Sequence, residues 1–250
     1  MIDVHCHYLP GIDDGAQALE ESLALARAAV AVGIQTAVMT PHVHPGRYEN
    51  NGSSIRKLCV AFQRVLDHRE IPLDIRVGGE VRISAEIIPM VEADEIPFLG
   101  TLDGYQIMLL EFPHSHLLVG AEKLVNWLLA RRIRPLIAHP ERNKDVMRNV
   151  DKLAPFMKMG CLSQLTGASI IGQFGKPVQE CAQKLIDRGW VTVVATDAHN
   201  MQHRPPNLDL AYKALADMRG ESFAQQLTVH MPGRIIAGNS RLSNPLKVGA

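Results

Sequence analysis

Residues 191–200 read VTVVATDAHN, a β-branched run that breaks into an acid and a histidine two residues apart. Residues 191–195 are predicted as a buried strand, because branched side chains suit a pleated surface and the run is too short for a helix. Asp197 and His199 follow it, and on an extended chain residues two apart point the same way. Working outward, the same order of apolar run and then His, Asp or Glu recurs along the chain. Residues 2–4 lead into His5 and His7, and residues 36–39 into His42 and His44 within TPHVHP. Residues 75–77 precede Glu80 in VGGE, residues 105–110 precede Glu111, and residues 135–138 precede His139 in IAHPER. A weaker strand at residues 161–165 carries no such residue.

Helical patterns separate these runs, at residues 18–32, 54–68, 121–130, 150–159, 179–188 and 208–218. In the first, Leu19, Leu23, Ala26 and Val30 recur at spacings of three and four, and Gly33 marks the stop. Such alternation predicts an α/β fold with a parallel sheet. Closure into a barrel is preferred to an open doubly wound sheet. The carboxyl ends of parallel strands share one rim, and six of the seven predicted strands bring a His, Asp or Glu to it. No Pro- or Ser-rich linker divides the chain, so residues 1–239 are read as one domain and residues 240–250 as a polar tail.

The chain has 250 residues, 46% hydrophobic and 21% charged, enough to bury a sizeable core and too apolar for global disorder. Lys plus Arg and Asp plus Glu both number 26, which argues against a strongly basic nucleic-acid binder. The four cysteines form no CxxC pair, so reduced thiols and a cytoplasmic location are expected. No apolar run approaches the ~18 residues of a membrane span, and the opening MIDVHCH lacks a basic targeting segment. There are 11 histidines, nearly as many as Phe, Trp and Tyr together.

Imidazoles and carboxylates are ligands of divalent metals. A lone loop histidine is ordinarily a surface or hydrogen-bonded residue; the signal here is the set, repeated at equivalent strand ends. Cys6 stands between His5 and His7, but its side chain should point away from theirs and into packing. Asp3, two residues before His5, either orients an imidazole or is a buried hydrogen-bonded acid. His44 is read as a neighbour of the site, and His114 and His116 as surface or rim residues beyond Glu111. His68 and His230 lie in helical stretches and need no special role.

The opening D-x-H-x-H, the D-D-G at residues 13–15, Glu80, the A-H-P-E-R at residues 138–142 and the D-A-H-N at residues 197–200 resemble the PHP superfamily of metal-dependent phosphoesterases. The closer resemblance is to bacterial protein-tyrosine phosphatases of capsule and exopolysaccharide operons. It covers residues 1 to about 237, and H-N-x-x-x-R-P-P at residues 199–206 is its most specific element. The resemblance implies a distorted (β/α)7 barrel and three divalent metals. His5, His7, Glu80 and Asp197 would hold the first. Glu80 would bridge to a second shared with Glu111 and His139, and Asp14, His42 and His199 would hold the third. Asp13 is adjacent to Asp14, and spacing does not choose between them. Relatives acting on sugar or amino-acid phosphates use His where this chain has Asp14 and Glu111, which favours the tyrosine-phosphatase branch. Manganese is the metal the resemblance implies; a thiolate-free donor set also suits Fe, Zn or Co.

Three divalent ions against four carboxylates would leave the site positive, which suits a phosphomonoester. Metal-activated water is expected to attack phosphorus in line, without a phosphoenzyme. Cysteine-based tyrosine phosphatases need C-x5-R; six residues after the four cysteines stand Ile12, Val65, Gly167 and Asp187. Arg142 and Arg204 are the candidates to grip phosphate through paired hydrogen bonds, with a structural ion pair as the alternative; Arg47 is a weaker candidate. His199 is the candidate general acid. The resemblance implies as substrate the tyrosine-rich tail of a membrane-anchored autokinase that controls polysaccharide assembly. A small-molecule phosphatase, such as one for histidinol phosphate, and a catalytically silent metal-binding regulatory module are the alternatives. The sequence leaves the oligomeric state open, a homo-oligomer included.

Overall fold

The structure, a computed structural model, describes residues 1–240 and 242; apart from Ser240 and Leu242, the expected polar tail at 240–250 lies outside the described residues. The strands are β1 (Ile2–Cys6), β2 (Thr36–Met39), β3 (His42–Val43), β4 (Asp74–Val77), β5 (Glu80–Arg82), β6 (Gly100–Leu102), β7 (Tyr105–Glu111), β8 (Ile133–Ala138), β9 (Leu162–Thr166) and β10 (Val193–Ala195). One sheet runs β1-β2-β4 and the other β10-β9-β8-β7-β5-β3, with β6 beside β7. Neighbours along both orders are parallel, and among the named strands of the described residues the β6–β7 hairpin alone is antiparallel. Parallel neighbours need long crossovers, and helices such as Leu19–Ala31, Gly52–His68, Ala121–Ala130 and Lys176–Asp187 supply them. The chain is therefore a mixed α/β fold with parallel sheets, as the alternation predicts.

The ladders are interrupted between the two sheets. β2 breaks at Pro41, which has no N–H to donate, before β3. β4 breaks at Gly78–Gly79 before β5. A Cβ at Gly78 would meet Val38 Cγ1 at 2.6 Å, and one at Gly79 would meet Pro97 Cγ at 2.4 Å, so glycine alone lets the chain pass. On the other side, β1 reaches the chain after β10 through an isolated parallel bridge from Cys6 to Ala198. There the His7 N–H donates to Ala198 O at 2.9 Å and the Asp197 N–H to His5 O at 2.7 Å.

Alternate strand residues enter two different clusters. Val4, Val38, Leu109, Leu136 and Val193 meet Ile235 and Ile236 in a small cluster. The intervening Ala37, Met39, Met108, Leu110, Ile137 and Val194 join the main core with the helices. Both strand faces are buried, which explains the continuous apolar runs in the sequence. Each fully buried Leu, Ile or Val contributes about 1.5–3 kcal/mol.

Local boundaries differ where chemistry intervenes. The helix expected at residues 150–159 is a 3-10 turn, Val150–Leu153, followed by Ala154–Lys158. Asn149 caps the turn by accepting from Asp151 N–H, and Pro155 opens a new helix because it lacks an N–H. Lys176–Asp187 starts before the expected residue 179, with Pro177 in its first turn. The strand expected at 191–195 narrows to β10, and that expected at 2–4 extends to Cys6. β3, β5 and β6 are two or three residues long, too short to leave a period in the sequence.

Candidate metal centre

His5 is the penultimate residue of β1 and His7 lies two residues on, just past the strand end, so both imidazoles point to one side. Their Nε2 atoms lie 3.2 Å apart. His5 Nε2 is 3.3 Å from Glu80 Oε2 and 3.3 Å from Asp197 Oδ1, and His7 Nε2 is 3.5 Å from both. All four residues are buried, and each offers one ligand-type atom to a group whose atoms lie within 4.8 Å of one another. His7, Asp14, His42 and His199 form a second such group. In it Asp14 Oδ1 is 3.2 Å from His42 Nε2 and 3.5 Å from His199 Nε2. His42, Glu80 and Glu111 form a third. His139, expected there with Glu80 and Glu111, instead places Nε2 2.8 Å from Glu80 Oε1, outside that group.

An imidazole ligates through the nitrogen that carries no proton, and the partner of the other nitrogen decides which that is. His5 Nδ1 meets Gln164 Oε1 at 2.9 Å, His7 Nδ1 meets Asp13 Oδ2 at 2.7 Å and His199 Nδ1 meets Asp197 O at 2.9 Å. Each partner is an acceptor, so each Nδ1 donates and each Nε2 lone pair is left facing the carboxylates. Asp13 also accepts from Gly15 N–H at 2.9 Å and His42 N–H at 3.0 Å. Its oxygens orient the site, whereas Asp14, with its side chain 47% exposed, faces His42 and His199. Gly15 is required because a Cβ there would lie 2.2 Å from His7 O. Asp3 accepts from His5 N–H at 3.3 Å, Thr196 N–H at 2.9 Å and the Thr196 hydroxyl at 2.5 Å. It touches no imidazole; it is the buried acid that ties β1 to the end of β10.

The electrostatics are those of a dense ionic cluster. Burial works to raise Glu80 and Asp197, yet both carboxyls are held well below their ordinary range, Glu80 by His5 and His42, Asp197 by Arg204 and His5. Glu111 is pushed up to about 7 by burial and by the charge of Glu80. Burial lowers His42, but Glu80 and Asp14 outweigh it and raise the imidazole to about 10. His139 falls to about 4 through burial and the Arg142 charge, and His199 to about 4 through burial and the His7 charge. Cations bound here would compete with protons for these nitrogens. Glu80 Oε2, Asp197 Oδ1 and His199 Nε2 are buried without a hydrogen-bond partner. Three unpaired ligand atoms among imidazoles and carboxylates fit divalent cations. His139 (φ 32°) and Asp197 (φ 53°) are both left-handed, at about 1–3 kcal/mol of strain each.

A cavity of about 160 Å³ opens over the cluster, and Arg47, Arg82, Arg142 and Arg204 line it. Arg142 Nη1 lies 2.5 Å from Asp197 Oδ2, and Arg204 bonds the same oxygen. The expected phosphate-binding arginines are thus ion pairs at the cavity wall, with side chains 17% and 22% exposed. Arg47 lies 5.0 Å over the Tyr48 ring. His44 lines the cavity but belongs to none of the three groups. His114 stacks on His139 at 5.5 Å, whereas His116 is exposed and bonded to Ser115. Cys6 Sγ donates to Val38 O at 3.3 Å, away from the cluster.

Three contributors escaped the sequence reading. Arg82 Nη1 lies 2.9 Å from Glu111 Oε1; its position two residues after Glu80 on an extended chain could have indicated it. Tyr48 stacks on His42 at 5.5 Å, and Gln164 holds His5; neither left a signal in the sequence.

The capsular polysaccharide synthesis family CpsB/CapC matches residues 1–237. Tyrosine-protein phosphatase YwqE of Bacillus subtilis (strain 168) is 35% identical over 228 residues, covering 91% of this chain and 89% of the relative. Tyrosine-protein phosphatase CpsB of Streptococcus pneumoniae is 30% identical over 241 residues, covering 94% and 98%. A crystal structure from work on YwqE of Bacillus subtilis and CpsB of Streptococcus pneumoniae, described as unique metal-dependent tyrosine phosphatases, superposes with a TM-score of 0.89. It is 32% identical and covers 96% of this chain and 97% of that one. With the match running from β1 through the helix Met231–Ile236, the chain belongs to the CpsB/CapC family of capsular polysaccharide synthesis.

Proposed function

We propose that this chain is a metal-dependent protein-tyrosine phosphatase. The observation that carries the reading is the convergence of His5, His7, Glu80 Oε2 and Asp197 Oδ1, buried and close, beneath an arginine-lined cavity. The names of the similar proteins YwqE and CpsB support the substrate class. His5, His7, Glu80 and Asp197 would hold one ion, and Asp14, His42 and His199 another. Glu80 would bridge to a third with Glu111 and His139, with manganese as the preferred metal. When bound, divalent ions lower the pKa of water from ~16 towards ~7 and draw charge from phosphoryl oxygens.

The chain's own residues do the rest. Arg142 and Arg204 have donors beyond those spent on Asp197 and would hold the phosphoryl oxygens. No cysteine or serine lines the cavity among the described residues, and the imidazoles and carboxylates there would be engaged with ions, which supports water as the nucleophile and hydrolysis without a phosphoenzyme. A phenol of pKa ~10 leaves with modest help; because His199 would spend Nε2 on an ion and its Nδ1 proton on the Asp197 carbonyl, a water in the cavity would supply that proton in place of the expected imidazole. The substrate would be the tyrosine-rich tail of a membrane-anchored autokinase, met in the cytoplasm; four buried free thiols suit that compartment. Among the described residues no helix is long and apolar enough to cross a membrane. We also read the two sheets as arcs of one distorted (β/α)7 barrel within a domain of residues 1–239. The continuation of β2 into β3 and β4 into β5, and the Cys6–Ala198 bridge, support this.

The test is turnover of a phosphotyrosine peptide against histidinol phosphate, with added Mn²⁺ and with chelator. Preference for the peptide, abolished by chelator and restored by Mn²⁺, is expected. Preference for histidinol phosphate refutes the substrate class, and chelator-insensitive turnover refutes the metal chemistry.

A further inference from the structure

We propose that Glu141 is a positioning residue for this site: it pins the turn carrying His139 and Arg142 to the end of β9. The inference rests on the phosphatase reading for the roles of those two residues. β8 ends at Ala138, His139 turns left-handed, and Pro140–Arg142 forms a 3-10 turn. Within that turn the residues alternate in destination. His139 and Arg142 line the cavity, while Glu141 is completely buried and lines none of it.

Its carboxylate crosses to the neighbouring strand. Glu141 Oε1 accepts from Thr166 N–H at 2.9 Å and from the Ser169 hydroxyl at 2.6 Å. Thr166 is the last residue of β9, two beyond Gln164. Gln164 Oε1 in turn accepts from His139 N–H at 3.3 Å and meets His5 Nδ1 at 2.9 Å. The turn is therefore held to β9 at both ends, at His139 by Gln164 and at Glu141 by Thr166 and Ser169. A strained backbone such as that of His139 persists only where its surroundings over-determine it. A buried carboxylate is costly unless paired; here Oε2 is buried without a partner, and both hydrogen bonds that Oε1 accepts are spent on the segment between two site residues. The same turn sets Arg142, whose guanidinium lies 4.8 Å over the Phe174 ring and bonds Asp197 Oδ2.

The experiment compares Glu141→Ala, Glu141→Gln and Ser169→Ala with wild type in the full chain. It measures KM and kcat on a phosphotyrosine peptide, Mn²⁺ affinity of the chelator-stripped protein, and thermal melting. Glu141→Ala is expected to raise KM and weaken Mn²⁺ binding by about 10–100-fold, the usual effect of removing an outer support of a metal site. Ser169→Ala should shift both in the same direction by less. Glu141→Gln keeps an acceptor oxygen and should recover most of the loss. A folded Glu141→Ala with wild-type KM and Mn²⁺ affinity overturns the proposal. Should Glu141→Ala not fold, wild-type KM and Mn²⁺ affinity in Ser169→Ala overturn it instead. Wild-type protein inert towards phosphotyrosine overturns the phosphatase reading, and the Mn²⁺ comparison then still decides whether Glu141 positions the site.

Discussion

Asp13→Asn separates a residue that would hold an ion from one that orients the holder. Asp13 Oδ2 faces His7 Nδ1 at 2.7 Å and accepts from His42 N–H at 3.0 Å, while Oδ1 accepts from Gly15 N–H at 2.9 Å. Asparagine has the same shape but turns one of those acceptors into a donor. If its oxygen stays with Gly15, its NH₂ meets the His42 N–H donor to donor. That NH₂ also meets His7 Nδ1, which can accept it only by moving its proton to Nε2. Nε2 is the atom facing Glu80 and Asp197 and cannot ligate once protonated. If the amide flips, Gly15 N–H loses its acceptor. Either way one buried N–H is stranded, at about 1–3 kcal/mol. Loss of the orienting carboxylate should weaken metal binding by about 10–100-fold, or about 1.4–2.8 kcal/mol. Calorimetric titration of Mn²⁺ into chelator-stripped protein, with melting curves, measures both. Asp14→Asn is the control: Asp14 is half-exposed and strands no backbone N–H, so it should lose bound ion at a smaller stability cost than Asp13→Asn. Wild-type Mn²⁺ affinity in Asp13→Asn, or a stability loss in Asp14→Asn larger than that in Asp13→Asn, would refute the division of roles.

Arg142→Ala and Arg204→Ala each leave the other guanidinium on Asp197 Oδ2, so single variants should raise KM and keep their ions. The double variant frees that oxygen and should lose ions as well, a more than additive loss read from KM and metal content on the same samples; strict additivity counts against it. Burial pushes the Cys59, Cys161 and Cys181 thiols up to about 12, and Cys6 well above its ordinary value. A thiol whose pKa rises on folding contributes stability that is full below about pH 9 and fades between about pH 9 and 12, at about 1.4 kcal/mol per pH unit. Native protein should therefore resist iodoacetamide at neutral pH, and melting temperature should fall above about pH 9, less steeply in Cys59→Ala. Cys6→Ser should keep most activity; rapid native labelling with loss of turnover would reopen thiol chemistry.

Much of the fold was legible because parallel strands buried on both faces must be apolar runs and their crossovers must be helices. The break at Gly78–Gly79 was not, since what demands glycine there is the approach of Val38 and Pro97 side chains from elsewhere in the chain. In the site, His5 with His7 and Asp197 with His199 were legible through the period of two. The choice between Asp13 and Asp14 was not, because adjacent acids with opposite duties look alike until Gly15, His7 and His42 are around them.

Sequence by itself determined which strand ends bear ligand-type side chains, because that depends only on covalent order and local periodicity. Tertiary structure alone decided which atoms meet. Glu80 Oε2 lies beside the Nε2 atoms of His5 and His7, His42 joins Glu80 and Glu111 while His139 meets the other Glu80 oxygen, and Arg142 and Arg204 share one oxygen of Asp197. Those contacts join segments far apart in the chain. They are set by strand order, by the proton each Nδ1 must donate to Gln164, Asp13 or the Asp197 carbonyl, and by packing that no local pattern encodes.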